Sequence, residues 1–403
     1  QAMGKAFEGI RVIDFSQVLA GPFAAGQLAL LGADVIKIEQ PGVGDQIRAM
    51  MTEGELAELK LSPSFLGVNA GKRGITLDLK HAKAPEVVHR LLADADVVVE
   101  NFKAGVMERL GFGYDSVREV KPDIVYCSIS GYGQQGPMAG QGAYDGAIQA
   151  ASGMMSITGT PESGPLRVGY MPVDISTGIT AAFAIASALY RRQVTGQGQY
   201  LDVAMLDAAM TLLNPVLSRH LITGSKPELL GNESPTHQGT AFTWPTRNGH
   251  IQITVITDRL SARLCEVLGR PEWAEDPRFG SPKGRVEHAD EIRADIGAVL
   301  LTEDTDTWLQ RLTEVGIPAS PVYGVADVVQ QPQMQHRGVL MQMPAPPGIA
   351  GEITVPGAGF TASDGAPGAD RPGPNLGQHS DEVLAEIGYS GAEIQALRDD
   401  GVI

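Results

Sequence analysis

The chain contains very little cysteine: only Cys127 and Cys265 occur in 403 residues, far apart in the sequence. Such a pair excludes a disulfide framework and a cysteine-rich zinc site. Because proteins of reducing compartments have little use for disulfides, we expect a cytoplasmic protein. The eight histidines are scattered and form no H-E-x-x-H motif, so we expect no bound metal. The first residues lack the long apolar core of a signal peptide, and we expect none.

Positive charge and long apolar runs are also scarce. The 31 Lys and Arg residues are outnumbered by 47 Asp and Glu residues, which gives a formal net charge of −16. An acidic protein binds nucleic acid and anionic membranes poorly, because both carry negative charge. The longest small-apolar run, ITAAFAIASALY, is too short to span a bilayer. We therefore expect small-molecule partners, neither nucleic acid nor membrane, and a local basic patch wherever a phosphate binds.

The first 130 residues alternate between strand-like and helix-like segments. This alternation predicts an α/β protein with a Rossmann-like, doubly wound and mostly parallel sheet. Ligands of such sheets bind at the carboxyl ends of the strands. The strand-like segments are residues 11–16, 35–39, 75–79, 97–102 and 123–130. Their carboxyl ends lie near Phe15–Gly21, Glu39–Arg48, Glu100–Lys103 and Ser130–Gly136.

The sequence changes in character after about residue 214. Residues 1–214 form the main part of the predicted large domain. Residues 215–330 predict a smaller α+β domain, with RNGH as the turn of a hairpin. Residues 331–403 predict a linker and a return to the large domain. Within them, 343–377 are rich in Pro and Gly and predict an extended meander, and the last residues predict two short capped helices.

Three glycines, Gly131, Gly133 and Gly136, have the G-x-G-x-x-G spacing of a dinucleotide-binding fingerprint. A true fingerprint lies between a strand and a helix, with an acidic residue at the end of the next strand. Here a strand precedes the glycines, but the loop continues past Pro137 and no such acidic residue follows. We therefore interpret the segment as a glycine-rich loop that approaches or covers a ligand, not as a nicotinamide site.

Two carboxylates stand out near predicted helix starts. Asp174 in VGYMPVDISTG precedes a helix rich in small residues. It fits an N-cap, and it also fits a carboxylate nucleophile that the helix N-terminus keeps ionised. Asp145 in GAYDGAIQ fits a turn residue or a second functional carboxylate. The local sequence leaves both pairs of alternatives open.

Several basic residues lie at or near the predicted carboxyl ends of strands. Each fits either an exposed surface charge or a ligand for a polyphosphate. No G-x-x-x-x-G-K-[ST] phosphate loop and no G-x-S-x-G serine motif occurs. These basic residues are Arg48, Lys72, Arg73, Lys103 and Arg109.

Long motifs along essentially the whole chain resemble the class III CoA-transferases, the group that includes formyl-CoA transferase, carnitine CoA-transferase and alpha-methylacyl-CoA racemase. The resemblance implies a Rossmann-like CoA-binding domain, a smaller domain, and a homodimer of two interlocked rings. It also implies that the catalytic aspartate is Asp174. The motifs include VIDFSQVLAGP, LGADVIKIEQPGVGDQIR, NAGKRGITLDLK, VVVENFKAGVMERLGFGYD, AYDGAIQAASGMMS and TGQGQYLDVAMLDAAM.

The resemblance further implies coenzyme A, as acyl-CoA, for a co-substrate, and a set of residues that contact it. These are Leu19, Ala20, Leu77, Lys80, Asn101, Phe102, Lys103, Arg109, Tyr144 and Asp145. The implied reaction moves CoA from an acyl-CoA thioester to a carboxylic acid through an aspartyl anhydride and an aspartyl-CoA thioester.

The chain departs from particular members of the group. Formyl-CoA transferases have Gln where Leu19 stands and Arg where Gln40 stands, which disfavours formyl-CoA and oxalate as substrates. The racemases have a His-Asp pair where this chain has Tyr144-Asp145. Alpha-methylacyl-CoA epimerisation, with Asp258 as a partial substitute base, is therefore the alternative, followed by a CoA-binding protein without turnover. The sequence does not identify the donor or the acceptor acid.

Overall fold

A computed structural model of the protein describes residues 4–403. In chain order its strands are β1 (Arg11–Asp14), β2 (Asp34–Glu39), β3 (Arg73–Thr76), β4 (Val97–Glu100), β5 (Val125–Ser130), β6 (Gly159–Thr160), β7 (Gly164–Pro165), β8 (Gln199–Ala204), β9 (Ala241–Pro245), β10 (His250–Thr254), β11 (Ala319–Pro321), β12 (Leu340–Pro344) and β13 (Glu352–Pro356).

The helices of the described residues follow the same order along the chain. They are α1 (Ala20–Leu30), α2 (Gly54–Glu58), α3 (Pro63–Asn69), α4 (Ala84–Ala93), α5 (Val106–Leu110), α6 (Tyr114–Val120), α7 (Asp145–Ala151), α8 (Pro172–Thr195), α9 (Met205–Leu212), α10 (Asn214–Thr223), α11 (Asp258–Val267), α12 (Pro282–Glu287), α13 (Ala289–Leu300), α14 (Thr305–Glu314), α15 (Val325–Val328), α16 (Pro332–Arg337), α17 (Ser380–Glu386) and α18 (Gly391–Asp399).

A six-stranded sheet of order β3-β2-β1-β4-β5-β8 is the centre of the fold. All of its strand pairs are parallel, which confirms the predicted α/β class and mostly parallel sheet. Strand β8 is not among the five strands expected from the sequence, because it runs directly into the helix that begins at Met205. The strand order reverses between β1 and β4, and the carboxyl ends of these two strands therefore border a crevice.

Helices cover both faces of this sheet. One face packs on α4, α17 and α18 through a core that includes Ile13, Val98 and Tyr126. The other face packs on α1 and α8 through a core that includes Val12, Val99 and Ile185. Helices α1 and α8 approach so closely that a Cβ at Gly178 would lie 2.9 Å from the Ala20 carbonyl oxygen. The close contact between the two helices thus explains why α8 is rich in small residues.

The chain divides into two compact units. The first comprises Gln1–Met154, Arg167–Ser225 and Gln333–Ile403 and contains the six-stranded sheet. The second comprises Met155–Leu166 and Lys226–Pro332. The domain boundaries expected from the sequence stay a prediction.

The second unit has its own core around a three-stranded antiparallel sheet of order β11-β10-β9. Strands β9 and β10 form the hairpin that the RNGH turn predicts, with His250 paired to Pro245. Trp244 is buried in this core, and its indole N–H donates to the Arg293 carbonyl oxygen at 2.9 Å.

The Pro/Gly-rich segment 343–377 differs in part from the extended meander we expected. It contains β13 and the end of β12, which pair as an antiparallel hairpin. Of the two terminal helices, α18 has the expected capping box between Ser390 and Glu393. Helix α17 has no side-chain cap.

Helix α8 is 24 residues long, twice the length of the apolar run noted in the sequence. By length and hydropathy alone it is the one described helix that could cross a membrane, although 39% of its most apolar window is buried inside the protein. A core helix of a soluble protein meets the same criterion.

Candidate active site

A cleft of about 270 Å³ lies at the carboxyl ends of β1, β4 and β5, where the strand order reverses. Its lining comes from residues 17–20 and 101–104 after β1 and β4, from residues 129–133 at the end of β5 and just beyond it, and from loop 140–144. Asp174 of α8 also lines it. The sequence analysis placed the ligand site at these strand ends, and a cleft is present there.

Asp174 is the third residue of α8 and is 8% exposed. Within residues 4–403 its carboxylate accepts no hydrogen bond and forms no ion pair. Burial raises the pKa of Asp174 to about 7, and the negative charge of Asp145 contributes in the same direction. At neutral pH the side chain is thus divided between its acid and carboxylate forms.

Asp145 occupies the capping position that the sequence analysis considered for Asp174. Its Oδ2 accepts the backbone N–H of Val173 at 2.8 Å and of Asp174 at 2.9 Å. Gln149 donates its side-chain amide to Asp145 Oδ1 at 2.6 Å, and its own oxygen accepts the Val168 N–H at 2.9 Å. The N-cap interpretation of Asp174 and the turn-residue interpretation of Asp145 were wrong: Asp174 does not cap its helix, and Asp145 is a buried residue at the start of α7. The functional alternative for each residue stays a prediction.

The cap also corrects the expected ionisation of Asp174. We expected the helix N-terminus to keep this carboxylate ionised. Instead, the first free N–H groups of α8 are bonded to Asp145, whose charge adds to the effect of burial. The Asp174 carboxylate therefore has no hydrogen bonds that would lower its pKa.

The glycine-rich loop forms one wall of the cleft. A Cβ at Gly131 would lie 2.5 Å from the Cβ of Ala143, so only glycine fits where these two backbone segments meet. Gly133 and Gly136 have φ values of 94° and 101°, in the region that favours glycine. No helix starts after the loop until α7 at Asp145, as we expected for a loop that is not a dinucleotide fingerprint.

The structure brings together six of the ten residues for which the resemblance implies CoA contact. Asp145 lies behind the cleft as the cap of α8, and Leu77 is buried in the core on one face of the sheet. Lys80 and Arg109 are exposed and lie outside the cleft lining. The role of every one of these residues stays a prediction. The six in the cleft wall are Leu19, Ala20, Asn101, Phe102, Lys103 and Tyr144.

Three of the candidate phosphate ligands are instead buried in ion pairs. Arg48 binds Glu39 with two hydrogen bonds of 2.6 Å and is 0% exposed. Lys72 pairs with Asp14 at 2.8 Å, and burial lowers the pKa of Lys72 to about 8. Arg73 pairs with Asp34 at 2.7 Å. These residues are neither exposed surface charges nor free to bind phosphate, so both local interpretations of them were wrong.

Sequence reasoning missed the residues that hold the loop after β1. The Gln17 N–H donates to Asn101 Oδ1 at 2.8 Å, and the Asn101 amide returns a bond to the Gln17 carbonyl at 2.7 Å. Lys37, in the middle of the apolar strand VIKIE, is fully buried and bonds the Ser16 carbonyl at 2.7 Å. A charged lysine in a buried strand requires a hydrogen-bonding or ion-pair partner. The position of Lys37 in the sequence could therefore have predicted a buried polar contact at this strand.

Known proteins match this chain over nearly its whole length. The family model for CoA-transferase family III matches residues 7–380. A succinate–glutarate CoA-transferase of Agrobacterium fabrum is 38% identical over 384 residues, 94% of this chain and 95% of the relative. A succinyl-CoA:glutarate CoA-transferase of Mus musculus is 35% identical over 407 residues, 99% of this chain and 90% of the relative. The crystal structure of a CAIB/BAIF family protein from Brucella suis has a TM-score of 0.85 and 33% identity, and the match covers 96% of this chain and 100% of that one.

These matches over nearly the whole chain define the class of protein as a CoA-dependent transferase. The chain is a member of CoA-transferase family III. It is an enzyme that transfers CoA between acyl-CoA thioesters and carboxylates, with the CoA thioester as co-substrate.

Proposed function

We propose that Asp174 is the nucleophile of this CoA transfer. The observation that carries the proposal is its unpartnered carboxylate at the wall of the cleft. A nucleophile must combine an available lone pair with protection from water. Asp174 has both, because it is 8% exposed and the neighbouring helix N–H groups are occupied by Asp145.

The proposed reaction has four steps. An oxygen of Asp174 attacks the carbonyl carbon of the donor thioester, the C–S bond breaks, and CoA leaves as a thiolate. The thiolate then attacks the Asp174 carbonyl carbon of the mixed anhydride, which releases the donor acid and leaves an aspartyl-CoA thioester. The acceptor carboxylate attacks that thioester and expels the thiolate. In the last step the thiolate attacks the acceptor carbonyl of the second anhydride, which forms the new acyl-CoA and frees Asp174.

The cleft wall supports this chemistry with positive potential. No side chain caps α1, and its first residue, Ala20, lines the cleft. Free N–H groups and the dipole at a helix start favour anions such as the thiolate, an anhydride oxyanion or a phosphate. Lys103 also lines the cleft and is exposed, so it is the nearest candidate to pair with CoA phosphates. We propose exposed Lys80 and Arg109 as further phosphate ligands.

For the substrates we propose a dicarboxylic donor and acceptor of about the size of succinate and glutarate. Two similar proteins carry these acids in their names. Leu19 in place of the formyl-CoA transferases' Gln is the argument against oxalate. We do not propose epimerisation: Asp258, its substitute base, is paired with the buried Arg285 at 2.8 Å.

We also propose that the protein is a homodimer of interlocked rings in the cytoplasm. An apolar stripe on α8 supports the dimer proposal. Its large side chains follow one another at intervals of one or two helical turns, and each is 56–74% exposed. Soluble proteins rarely leave so large an apolar row in water. The stripe consists of Ile179, Phe183, Tyr190 and Val194.

Trapping of the covalent intermediate tests the nucleophile. We would incubate the enzyme with succinyl-CoA, add hydroxylamine, and locate the hydroxamate by peptide mass spectrometry. The modification is expected on Asp174, and Asp174→Ala is expected to show neither modification nor turnover. Asp145→Asn is the matched control, because it should still be modified. Modification at another carboxylate, or full activity of Asp174→Ala, would contradict the proposal.

A further inference from the structure

Val18, in the wall of the cleft, has an unusual backbone conformation. Its φ is +68°, and among residues 4–403 only Met51, Lys60 and His237 are other non-glycine residues with positive φ. Val18 is the one β-branched residue among these four, and β-branched side chains are the most strongly disfavoured in this region. Such a conformation persists only where surrounding contacts enforce it, and it is found preferentially at functional sites.

Asn101 binds the neighbouring Gln17, whereas the contact to Val18 itself comes from a fully buried ion pair. The Val18 N–H donates to Asp45 Oδ1 at 3.0 Å, and the same oxygen accepts the Ile47 N–H at 3.0 Å. Asp45 Oδ2 pairs with Lys37 Nζ at 2.9 Å, and both side chains are 0% exposed. Lys37 also donates to the Ser16 carbonyl at 2.7 Å, so the pair holds the backbone on both sides of Gln17.

The pair is itself held in place. The Asp45 N–H donates to Glu39 Oε2 at 2.8 Å, and Glu39 is bound by Arg48. Burial alone would lower the pKa of Lys37, but the carboxylates of Asp45, Asp14 and Glu39 together raise it above its usual value. The pair is therefore inaccessible to solvent and held by further hydrogen bonds, as a clamp on a strained segment requires.

The clamped segment leads directly into the site. Gln17, Val18, Leu19 and Ala20 all line the cleft that contains Asp174, and α1 begins at Ala20. With φ in its ordinary negative range, Val18 would send the chain in another direction and move the start of α1 relative to Asp174. The strained conformation of Val18 thus determines where this part of the cleft wall lies.

We infer that Asp45, supported by Lys37, is a positioning residue that holds Val18 in its left-handed conformation and thereby sets the affinity of the cleft for coenzyme A. The ligand in this inference rests on the proposed function. The clamp acts through the population of one backbone conformer. If that conformer falls to about a tenth of the molecules, the apparent dissociation constant rises about tenfold.

A matched pair of double variants separates the hydrogen bond from the charge. Lys37→Met/Asp45→Asn removes both charges but keeps an oxygen that accepts the Val18 N–H. Lys37→Met/Asp45→Leu removes both charges and the acceptor. Neither leaves a buried charge unpaired, which is the usual reason for misfolding of such variants. The dissociation constant of free CoA, measured by calorimetry, is expected to stay within about threefold for the first and to rise about tenfold for the second.

Rescue by glycine distinguishes strain from a general structural role. Glycine adopts positive φ without the steric cost of a side chain. In the Val18→Gly background, Lys37→Met/Asp45→Leu is therefore expected to change CoA affinity less than about twofold. Met51→Gly is the control, because it makes the same change at an exposed positive-φ residue outside the cleft and should rescue nothing. An equal loss of affinity in the Val18 and Val18→Gly backgrounds would overturn the inference.

The unfolding temperatures of two Val18 variants, measured without ligand, test the inference even if the double variants fail to fold or CoA does not bind. At ordinary φ, alanine is more stabilising than glycine, whereas at positive φ the order reverses. Val18→Gly is thus expected to unfold at a higher temperature than Val18→Ala, and the reverse order would overturn the inference. Failure of the wild type to bind CoA would instead contradict the proposed function while leaving this comparison intact.

Discussion

Asp145 caps the helix that carries Asp174, although 28 residues separate Asp145 from Val173, the first of the two N–H donors it binds. The cap binds the Asp174 backbone N–H at 2.9 Å and at the same time places a negative charge near the Asp174 side chain. Asp145 therefore holds the backbone of Asp174 and contributes to the raised pKa of its carboxyl group. This relationship makes the ionisation of Asp174 sensitive to a change at Asp145.

The first prediction concerns the pH dependence of the transfer rate. The proposed nucleophile must be ionised, and burial together with Asp145 raises the pKa of Asp174 to about 7. The single-turnover rate of enzyme acylation should therefore rise with pH through about 7. Asp145→Asn removes the charge and keeps an oxygen for the cap when the Gln149 side-chain amide turns so that its oxygen accepts the new NH2 group. The midpoint of this variant should therefore move to lower pH.

A second buried carboxyl in the same unit requires a control for that measurement. Burial raises the pKa of Glu100 to about 7 as well, and Glu100 accepts the Phe102 N–H at 2.9 Å. Glu100→Gln should leave the midpoint of the pH profile in place. If the midpoint moved in Glu100→Gln and not in Asp145→Asn, the pH dependence would reflect the ionisation of Glu100 and would contradict the prediction for Asp174.

The second prediction is that removing the charge of Asp174 stabilises the protein at alkaline pH. The folded-state pKa of about 7 lies above the ordinary value of 3.8, so the folded state binds the proton more tightly. The stability of the wild type should thus decrease as pH rises from about 4 to 7 and level off above. Asp174→Asn lacks this penalty, and at pH 8 its free energy of unfolding should exceed the wild type's by about 1–3 kcal/mol.

Urea denaturation at pH 5 and pH 8 measures this effect. The excess stability of Asp174→Asn should be smaller at pH 5, where most of the wild-type carboxyl is protonated. Asp115→Asn serves as control, because the Asp115 side chain is 93% exposed and should change stability little at either pH. An Asp174→Asn variant less stable than the wild type at pH 8 would count against the proposed electrostatics.

The third prediction concerns the glycine-rich wall of the cleft. Gly131→Ala would place a Cβ 2.5 Å from that of Ala143, so the two segments must separate. We expect a loss of about 1–3 kcal/mol in stability and at least a tenfold lower transfer rate. Gly67→Ala is the control, since its Cβ would meet no atom within 4 Å and it lies in α3, where alanine is favoured. Wild-type activity of Gly131→Ala would mean that the wall tolerates the shift.

The fourth prediction tests the interlocked dimer. Interlocked rings cannot separate while folded, so tagged and untagged protein mixed under native conditions should form no hybrid dimers. Hybrids should appear only after unfolding and refolding together. Light scattering should give twice the 42.6 kDa mass of the chain. A monomeric mass, or rapid exchange of native subunits, would refute the arrangement.

The apolar stripe on α8 allows a companion measurement on the dimer. Phe183→Glu places a charge in the stripe and should reduce the yield of refolded dimer several-fold. Phe360→Glu makes the same substitution at another exposed phenylalanine outside the stripe and should refold like the wild type. Equal yields from both variants would remove the stripe from the proposed interface.

The local pattern of the sequence determined the parallel α/β fold, the strand ends where the cleft lies, and the choice of Asp174 as a candidate. Alternation of apolar segments and helix signals carries such information, because backbone periodicity depends on near neighbours. The same reasoning rejected the dinucleotide fingerprint at Gly131. It missed β8, since a short strand that runs directly into α9 has no turn residues to mark its boundary.

Only the tertiary structure decided which charged residues were partners and which were free. Arg48, Lys72 and Arg73 have the sequence context of surface cations, yet each is buried in an ion pair with a carboxylate at least nine residues away in the sequence. The capping of α8 by Asp145 and the left-handed φ of Val18 likewise depend on contacts between separate segments. Sequence periodicity is local, whereas burial, ion pairing and backbone strain are set by whatever the fold brings within about 3 Å.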